Sequence, residues 1–245
     1  MNAILSMSLI MMLWQHIAGT GKAPYEVESF RTPGGKQVEI TLIKHGSLAI
    51  SFEGFWIQVD PVTEYGKHTD YATEFPKADV ILVTHEHGDH LDPSAIEALR
   101  GPQTQIYLNQ WAWSQLGAGE VMSNGDKREL HPDISVEAVP AYNTTPGREK
   151  FHPKGHGNGY ILTIDGLRIY IAGDTEDIPE LADIKDIDIA FLPVNQPYTM
   201  TPDQCVKAAR TIAPKVLIPY HFSGTDLSKL PQRLPGIRVL LRKMQ

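Results

Sequence analysis

The sequence contains one cysteine, Cys205, so no disulfide can form within the chain. It also lacks an excess of positive charge. The formal net charge is −7, which argues against a broad basic surface that holds nucleic acid. No G-x-S-x-G motif is present, so the sequence does not indicate a serine nucleophile. A small anionic substrate held by a metal ion is still compatible with this charge.

Long apolar runs are also scarce, and the run AILSMSLIMMLW at residues 3–14 is too short to span a bilayer comfortably. It resembles the hydrophobic region of a secretory signal peptide, although no lysine or arginine precedes it. The alternative is an N-terminal helix or a leader segment. We expect residues 1–24 to be a signal peptide or leader, and we favour a periplasmic over a cytoplasmic location. We expect no stable membrane span in the mature protein.

Short apolar segments alternate with turns after residue 37, and this alternation occurs twice. The segments VEITLIKH, SLAISF and FWIQVD predict an antiparallel meander, and the uninterrupted run ADVILVT predicts a strand covered on both faces. A helix is predicted next in LDPSAIEALRG, where Asp92 can cap and Pro93 suits the first turn. The segments ISVEAVP, GYILTID, LRIYIAGD and IDIAFLPV repeat this order before a second predicted helix, TPDQCVKAARTI.

Two similar β-then-α halves without a linker between them predict one domain, residues 25–245, of the α/β (α+β) class. We expect two facing sheets with helices outside, a four-layer αββα sandwich. In the second helix Val206, Ala209 and Ile212 share one face, and Cys205 lies next to this stripe. Cys205 is therefore predicted to be a packing residue and not a nucleophile.

Three histidines and an aspartate are close together in HEHGDH, directly after the run ADVILVT. In an extended chain residues i and i+2 point the same way, so His85 and His87 can share one ion. Asp89 and His90 follow the flexible Gly88 and can turn toward a second ion. Imidazole and carboxylate ligands suit zinc, with manganese or iron as alternatives. The competing interpretation is a histidine cluster on a solvated loop.

Two further ligand candidates follow apolar strands much later in the chain. Asp174 comes after IYIAG, and His221 comes after VLIPY. An acid or imidazole at a strand end is a costly buried polar group unless it has a partner. Asp174 could therefore bridge two ions, and His221 could complete the second.

The motif H-x-H-x-D-H, the later GDT and the late PYHF together resemble the metallo-β-lactamase fold superfamily of metal-dependent hydrolases, over roughly residues 38–222. The sequence is most similar to the branch of zinc hydrolases that also contains lactonases acting on sugar phosphates. This resemblance implies a metallo-β-lactamase-like fold and a binuclear site with two zinc ions. The ligands that it implies are His85 and His87 on the first metal, Asp89, His90 and His221 on the second, and Asp174 between them.

The resemblance also implies that an early HG and a DP line the site. His45-Gly46 and Asp60-Pro61 match these two pairs. Asp60 would then orient the histidine loop. The alternative is an Asp-Pro pair that only starts a turn.

One position departs from the superfamily pattern. A third histidine for the first metal usually follows a strand such as VEAVPAY, where this chain has Asn143. His152 or His156 could fold back to substitute, Asn143 could be a weak ligand, or the first site could be poorly occupied. We favour His152, because its neighbours Phe151 and Pro153 indicate an anchored position. The choice between one metal and two stays open.

The reaction that we expect is hydrolysis of a small ester, lactone or phosphoester by a metal-activated hydroxide. Asp89 or Asp174 would orient this hydroxide and manage its proton. Tyr198 and His45 could donate a hydrogen bond to an oxyanion or to the substrate, and Tyr198 could equally be a surface residue. Three cations on one loop could hold an anionic group of the substrate or could simply be solvated: Arg148, Lys150 and Lys154.

Three alternative functions compete with this one. A phosphodiesterase would act on a lipid or small phosphodiester, since the acidic balance disfavours RNA. A di-iron redox centre is disfavoured, because relatives of that kind have glutamate at the position of His87. A non-catalytic metal-binding module would fit a chain that has lost one metal site. We expect a small-molecule substrate and no nucleic-acid partner, and the sequence does not indicate an oligomeric state.

Overall fold

The computed structural model describes residues 25–244, and the predicted signal peptide or leader, residues 1–24, lies outside the described residues. The first half of the chain forms a mixed sheet. Its strands are β1 (Glu26–Arg31), β2 (Gln37–Lys44), β3 (Ser47–Phe52), β4 (Phe55–Val59), β7 (Ala78–Leu82), β8 (Arg100–Leu108) and β9 (Glu120–Val121). Between β4 and β7, the strands β5 (Glu64–Tyr65) and β6 (Lys67–His68) form a small separate hairpin.

The second half of the chain forms another mixed sheet. Its strands are β10 (Lys127–His131), β11 (Ile134–Ala141), β12 (Gly157–Ile164), β13 (Leu167–Ile171), β14 (Ile189–Pro193), β15 (Val216–Tyr220) and β16 (Arg238–Val239).

The two sheets have the same plan. The first has the order β1-β2-β3-β4-β7-β8-β9 and the second the order β10 to β16. In each sheet the strands that begin it pair antiparallel and the later ones pair parallel. The hairpins at Glu53-Gly54 and Asp165-Gly166 have positive φ at both residues (50° and 89°, 45° and 82°), as a tight hairpin turn requires. The prediction of two similar halves is therefore confirmed.

Short helices connect and cover the strands. They are α1 (Tyr71–Glu74), α2 (Pro93–Leu99), α3 (Gln110–Leu116), α4 (Pro202–Ile212) and α5 (Leu230–Arg233), with a 3-10 helix at Pro179–Asp183. The carboxylate of Asp92 accepts hydrogen bonds from the N–H groups of Ser94 and Ala95 at the start of α2. Thr201 and Gln204 form a capping box at the start of α4. No helix within residues 25–244 is long and apolar enough to cross a membrane.

Three clusters of buried apolar side chains hold these elements together. Between the sheets, side chains of both halves share one buried cluster, for example Ile50 with Leu162 and Phe191. Two other clusters lie on the outer faces, where helices cover the sheets. Cys205 is fully buried in one of them, as the helical stripe predicted. The layering is αββα, so the predicted fold is confirmed.

The site arises where the parallel strands end. Asp60 directly follows β4, and the His85 loop leaves β7. In the other sheet Asp174 follows β13 and His221 directly follows β15. Because carboxyl ends of parallel strands lie at one edge of a sheet, loops from both halves deliver polar side chains to the same place.

Candidate metal centre

The loop between β7 and α2 brings its histidines together through a tight turn. The N–H of His90 donates to the carbonyl of His87 at 2.9 Å, so the chain reverses directly after His87. His85 and His90 are buried, and His87 is half-buried. His85 Nε2 lies 3.1 Å from His87 Nδ1, so the two rings converge on one point, as predicted.

A third histidine from the second sheet's half joins them. His85, His87 and His152 each offer a nitrogen atom, and these atoms lie within 4.8 Å of one another; we name these residues the first group. His152 Nδ1 lies 3.0 Å from the carbonyl oxygen of Tyr198, which can only accept. The proton therefore sits on Nδ1, and the lone pair of Nε2 faces the first group.

The other two candidates for this position lie elsewhere. His156 stacks on Trp111, with ring centroids 3.8 Å apart, outside the first group. The Asn143 amide donates to the carbonyl oxygens of Tyr198 at 2.7 Å and Arg148 at 3.2 Å, so it holds the loop together. Of the three residues that the sequence left open, the structure brings His152 to His85 and His87.

A second group lies beside the first. Its members offer ligand atoms within 4.8 Å of one another: His45, Asp89, His90 and His221. Asp89 Oδ2 is 3.1 Å from His45 Nε2 and 3.7 Å from His221 Nε2. The ring centroids of His45 and His221 are 3.6 Å apart, and the backbone N–H of His221 donates to the backbone carbonyl of His45. His45, for which the sequence predicted a catalytic role, is thus also a candidate ligand.

Asp174 lies between the two groups. Its Oδ2 is 3.2 Å from His152 Nε2 in the first group and 3.1 Å from His221 Nε2 in the second. Its Oδ1 is 3.4 Å from His90 Nε2. Gly173 makes this approach possible, since its φ is +64° and an added Cβ would lie 2.6 Å from the Asn158 carbonyl oxygen. Asp174 therefore has the position that a bridging ligand requires.

His90 is held from behind by Asp60. The buried Asp60 carboxylate accepts from His90 Nδ1 at 2.8 Å and from the Thr84 N–H and hydroxyl, both at 2.7 Å. Gly46 leaves room for the ring, because a Cβ there would come within 2.8 Å of His90 Cε1. Of the two interpretations of Asp60, the structure supports the one that orients the histidine loop.

These side chains fit divalent ions. Within the described residues, six atoms of the two groups and Asp174 are buried without a hydrogen-bond partner: His45 Nδ1, His90 Nε2, His152 Nε2, His221 Nδ1, His221 Nε2 and Asp174 Oδ1. Each such atom costs about 1–3 kcal/mol when left unpaired. Imidazole nitrogens and carboxylate oxygens are zinc ligands. The cluster can therefore bind metal ions.

The electrostatics of the site favour a cation. Burial disfavours the charged form of Asp174, but His221, His90 and His152 hold its pKa well below its usual value. Burial likewise opposes the protonation of His221, yet the Asp174 carboxylate raises its pKa to about 10. Burial lowers the pKa of His85 well below its usual value, and His90 lowers it further. The site thus combines ionised carboxylates, which attract positive charge, with neutral imidazole at His85.

The remaining predicted residues lie at the margin. The Tyr198 side chain is 45% exposed and packs edge-on against Phe151, while its carbonyl oxygen anchors His152. A hydrogen bond from its hydroxyl to substrate stays a prediction. The loop cations have protein contacts: Arg148 lies 3.7 Å from Glu176, Lys154 donates to Glu180 at 2.8 Å, and Lys150 lies over the Phe151 ring.

Two residues near the site were missed by the sequence reasoning. Tyr65, on the β5–β6 hairpin, lies with its ring centroid 4.0 Å from that of His45 and is 36% exposed. Glu176 is fully buried two residues after Asp174. The sequence GDTE places Glu176 beside a predicted ligand, which is a weak signal. Nothing in the sequence of the short hairpin indicated Tyr65.

An αββα sandwich with two adjoining His/Asp groups at its strand ends defines a metal-dependent hydrolase of the metallo-β-lactamase fold. The family model described as the beta-lactamase superfamily domain matches residues 39–221, and the chain belongs to this family. It is similar to the UPF0173 metal-dependent hydrolase of Bacillus pumilus (strain SAFR-032), with 31% identity over 190 residues that cover 73% of this chain and 83% of the relative.

Solved structures agree with this assignment. The chain is similar to a protein designated a metal-dependent hydrolase from Parabacteroides distasonis ATCC 8503, with a TM-score of 0.87 and 56% identity over 90% of this chain and 100% of that one. Igni18, a metallo hydrolase from Ignicoccus hospitalis KIN4/I, shares the fold at a TM-score of 0.69 and 23% identity, over 84% of this chain and 95% of its own. The protein is a metal-dependent hydrolase of the metallo-β-lactamase superfamily.

Proposed function

We propose that the protein hydrolyses a small ester, lactone or phosphoester at a binuclear zinc site. The observation that carries this proposal is the position of Asp174, whose Oδ2 contacts a histidine of the first group and a histidine of the second at 3.2 and 3.1 Å. The proposed ligands are His85, His87 and His152 for one ion, Asp89, His90 and His221 for the other, and Asp174 for both.

Zinc, or manganese or iron in its place, would supply a water of lowered pKa and a Lewis acid for the developing negative charge. Asp174 is buried and contacts three histidines, so its carboxylate is fully engaged. The Asp89 side chain is 30% exposed, so of the two carboxylates it is the one that can also reach an incoming reactant. We therefore assign Asp89 the role of orienting the attacking water and taking up its proton.

His45 fixes Asp89 for this role. Burial lowers the pKa of His45 to about 4 against the opposing hydrogen bond to Asp89, so the ring is neutral near pH 7. A neutral ring can donate through Nε2 to Asp89 Oδ2 at 3.1 Å. His45 thereby restrains the carboxylate without adding a second positive charge. A direct hydrogen bond from His45 to substrate is not needed in this arrangement.

The substrate class follows from the surroundings of the site. Arg148 and Lys154 each face a glutamate of the protein, so this loop offers less free positive charge than its sequence suggested. The exposed Tyr65 ring packs on His45, and the carbonyl of Tyr198, whose side chain is exposed, contacts His152. This favours a small carbonyl substrate over a highly charged one. Phosphodiesters of lipids or small molecules are the alternative. The main argument for a non-catalytic module was the missing third histidine, and the proposed ligand His152, which lies with His85 and His87, would take that place.

The test uses purified protein loaded with zinc or manganese and three panels of substrates: esters with lactones, phosphomonoesters, and phosphodiesters. We expect turnover in the first panel that is abolished by a chelator and reduced at least about a hundredfold in Asp89→Asn. Asp177→Asn is the matched control, because its carboxylate pairs with Lys207 at 2.6 Å on the surface, three residues after Asp174. Turnover confined to phosphodiesters would favour the alternative, and metal-loaded protein without turnover on any panel would contradict the proposal.

A further inference from the structure

Glu176 is a buried carboxylate that the proposed chemistry does not use. Its side chain is fully buried, and its Oε2 accepts hydrogen bonds from the N–H groups of Thr144 at 2.8 Å and Thr145 at 2.6 Å. The Thr144 hydroxyl is a third donor, at 3.2 Å. Arg148 approaches the other oxygen, Oε1, at 3.7 Å. Glu176 thus gathers polar groups from one short stretch of chain.

That stretch is the loop that carries His152. The Asn143 N–H donates to the His152 carbonyl at 2.9 Å, which closes the loop on itself. The Asn143 amide also donates to the Arg148 carbonyl at 3.2 Å inside the loop. Because the loop is closed, a contact that fixes Thr144 and Thr145 also restricts where His152 can lie.

The same glutamate is fixed to the strand end that carries Asp174. The Glu176 N–H donates to the Tyr142 carbonyl at 3.0 Å. Thr175 accepts from the Tyr142 N–H at 3.2 Å and donates to the Tyr142 carbonyl at 3.0 Å. The segment of residues 174–176 therefore connects Asp174 to the His152 loop, and Glu176 Oε2 contributes the hydrogen bonds to Thr144 and Thr145.

Apolar packing alone does not explain an acid at this place. Burying a carboxylate costs several kcal/mol, and apolar residues of similar volume are often as stable or more so. Removing the acceptor while keeping the neighbours would leave the N–H groups of Thr144 and Thr145 in need of other partners. A carboxylate here is explained if it sets the distance between Asp174 Oδ2 and His152 Nε2, which is 3.2 Å.

We propose that Glu176 is a positioning residue, whose carboxylate holds the loop of residues 143–152 so that His152 completes the first group. The inference rests on the proposed function, because it takes His152 as a ligand of one of two ions. It concerns ion binding and not turnover, so the two can be tested separately.

The experiment titrates the metal-free full-length protein with Co²⁺ and follows the visible absorption, with bound metal counted by elemental analysis after dialysis. We expect Glu176→Leu to bind one of the two ions about 10–100-fold more weakly and to change the absorption of that ion. Glu176→Gln keeps an acceptor oxygen for Thr144 and Thr145, so it should bind both ions within about threefold of the wild type. If the negative charge of Glu176 alone determined Co²⁺ binding, Glu176→Gln would bind as weakly as Glu176→Leu.

Glu180→Leu is the matched control. Its carboxylate ties the same loop region from outside, through the Tyr142 hydroxyl at 2.7 Å and Lys154 at 2.8 Å. We expect Glu180→Leu to leave both Co²⁺ affinities and the absorption unchanged. If Glu176→Leu does not fold, Glu176→Asp replaces it, since the shorter side chain withdraws the carboxylate from Thr144 by about 1.5 Å while keeping the charge.

Three results would overturn the inference. Wild-type affinity and absorption in folded Glu176→Leu, or in its replacement Glu176→Asp, would show that His152 does not depend on this carboxylate. An equal loss in Glu180→Leu would show a general loosening of the loop. A wild-type protein that binds no Co²⁺ would overturn the proposed function and this inference together, whereas two ions bound without turnover would contradict only the proposed reaction.

Discussion

At the scale of single residues, Asp60 determines which nitrogen of His90 carries the proton. The Asp60 carboxylate accepts from His90 Nδ1, so His90 Nε2 keeps its lone pair on the side of Asp174. Asp60 can do this because its other hydrogen bonds come from Thr84, directly before the histidine motif. The sequence pair Asp60-Pro61 therefore orients the ring of His90 and does more than start a turn.

Asp60→Asn should weaken metal binding without abolishing folding. An asparagine has one acceptor oxygen, so its NH2 group would face either His90 Nδ1 or the Thr84 N–H, and the hydrogen bonds that fix the His90 ring could not all form. We expect a loss of about 10–100-fold in the affinity of one ion, measured by Co²⁺ or Zn²⁺ titration. Asp165→Asn is the control, because Asp165 also has positive φ and accepts from a threonine hydroxyl, Thr32, far from both groups. Equal affinities in Asp60→Asn and the wild type would contradict this.

His152 and His156 provide a comparison within one loop. His152→Ala removes a nitrogen of the first group, so we expect metal content to fall by about one ion per chain and turnover to fall with it. His156→Ala removes only the ring stacked on Trp111, and we expect unchanged metal content. Elemental analysis of both dialysed variants checks the prediction. A loss of metal in His156→Ala alone would reverse the assignment.

The sequence predicted most of the side chains that come together at the site, because they follow apolar runs in fixed order. His85, His87 and His90 share one short motif, and Asp174 and His221 each follow a strand. The position of His152 was harder to predict, since it depends on a loop closed by the Asn143 contacts. Such contacts join residues that sequence spacing alone does not relate.

At the scale of elements, the sequence pattern predicted β2, β3, β4, β7 and β11 to β15, two hairpin turns and both capped helices, but not the nine-residue strand β8. The β5–β6 hairpin, with strands of two residues each, was not predicted, because two residues carry no detectable alternation. The Lys44 ammonium, which is buried, donates to the carbonyls of Thr63 and Lys67 and fixes this hairpin near the site. Such a contact joins a strand to a hairpin about 20 residues later, so local sequence patterns do not predict it.

Helix α4 allows a pH-dependent test of its packing. Burial raises the pKa of the Cys205 thiol to about 12 from its ordinary value near 9, against a small opposing effect of Arg233. A group whose folded pKa is raised contributes stability in full below the unfolded pKa, and this is lost as the pH rises through the folded pKa. The window is therefore pH 9 to 12.

Urea unfolding of the wild type and Cys205→Ala at pH 8 and pH 10 measures this effect. The free energy of unfolding of the wild type should fall by about 1.4 kcal/mol more than that of the variant, because only the wild type gains a thiolate on unfolding. Lysine and tyrosine titration affects both proteins equally, so the difference between wild type and Cys205→Ala isolates the effect of the thiol. Parallel pH dependence of the two proteins would show that the thiol is not buried as described.

At the scale of the whole molecule, the site joins the two halves of the fold. His85, His87 and His90 come from the half that contains β1 to β9, whereas His152, Asp174 and His221 come from the half that contains β10 to β16. The apolar cluster between the sheets joins the same halves over a much larger area. The sequence predicted two facing sheets, because both halves have the same pattern. It did not show that the carboxyl ends of the parallel strands in both sheets would meet at a single cluster of histidine and aspartate side chains.

An ion held by both halves should stabilise the folded protein, since the unfolded chain cannot present these ligands together. If free zinc is about 1,000 times its dissociation constant, the stabilisation is about 4 kcal/mol, which raises the Tm of a chain of this length by roughly 10 °C. We therefore expect a chelator to lower the Tm by that amount and added zinc to restore it. In Asp174→Asn, which loses the carboxylate shared by both groups, the chelator should have a much smaller effect. A wild-type Tm that does not respond to chelator or zinc would mean that the two halves are held by apolar packing alone and that the clustered histidines do not bind an ion between them.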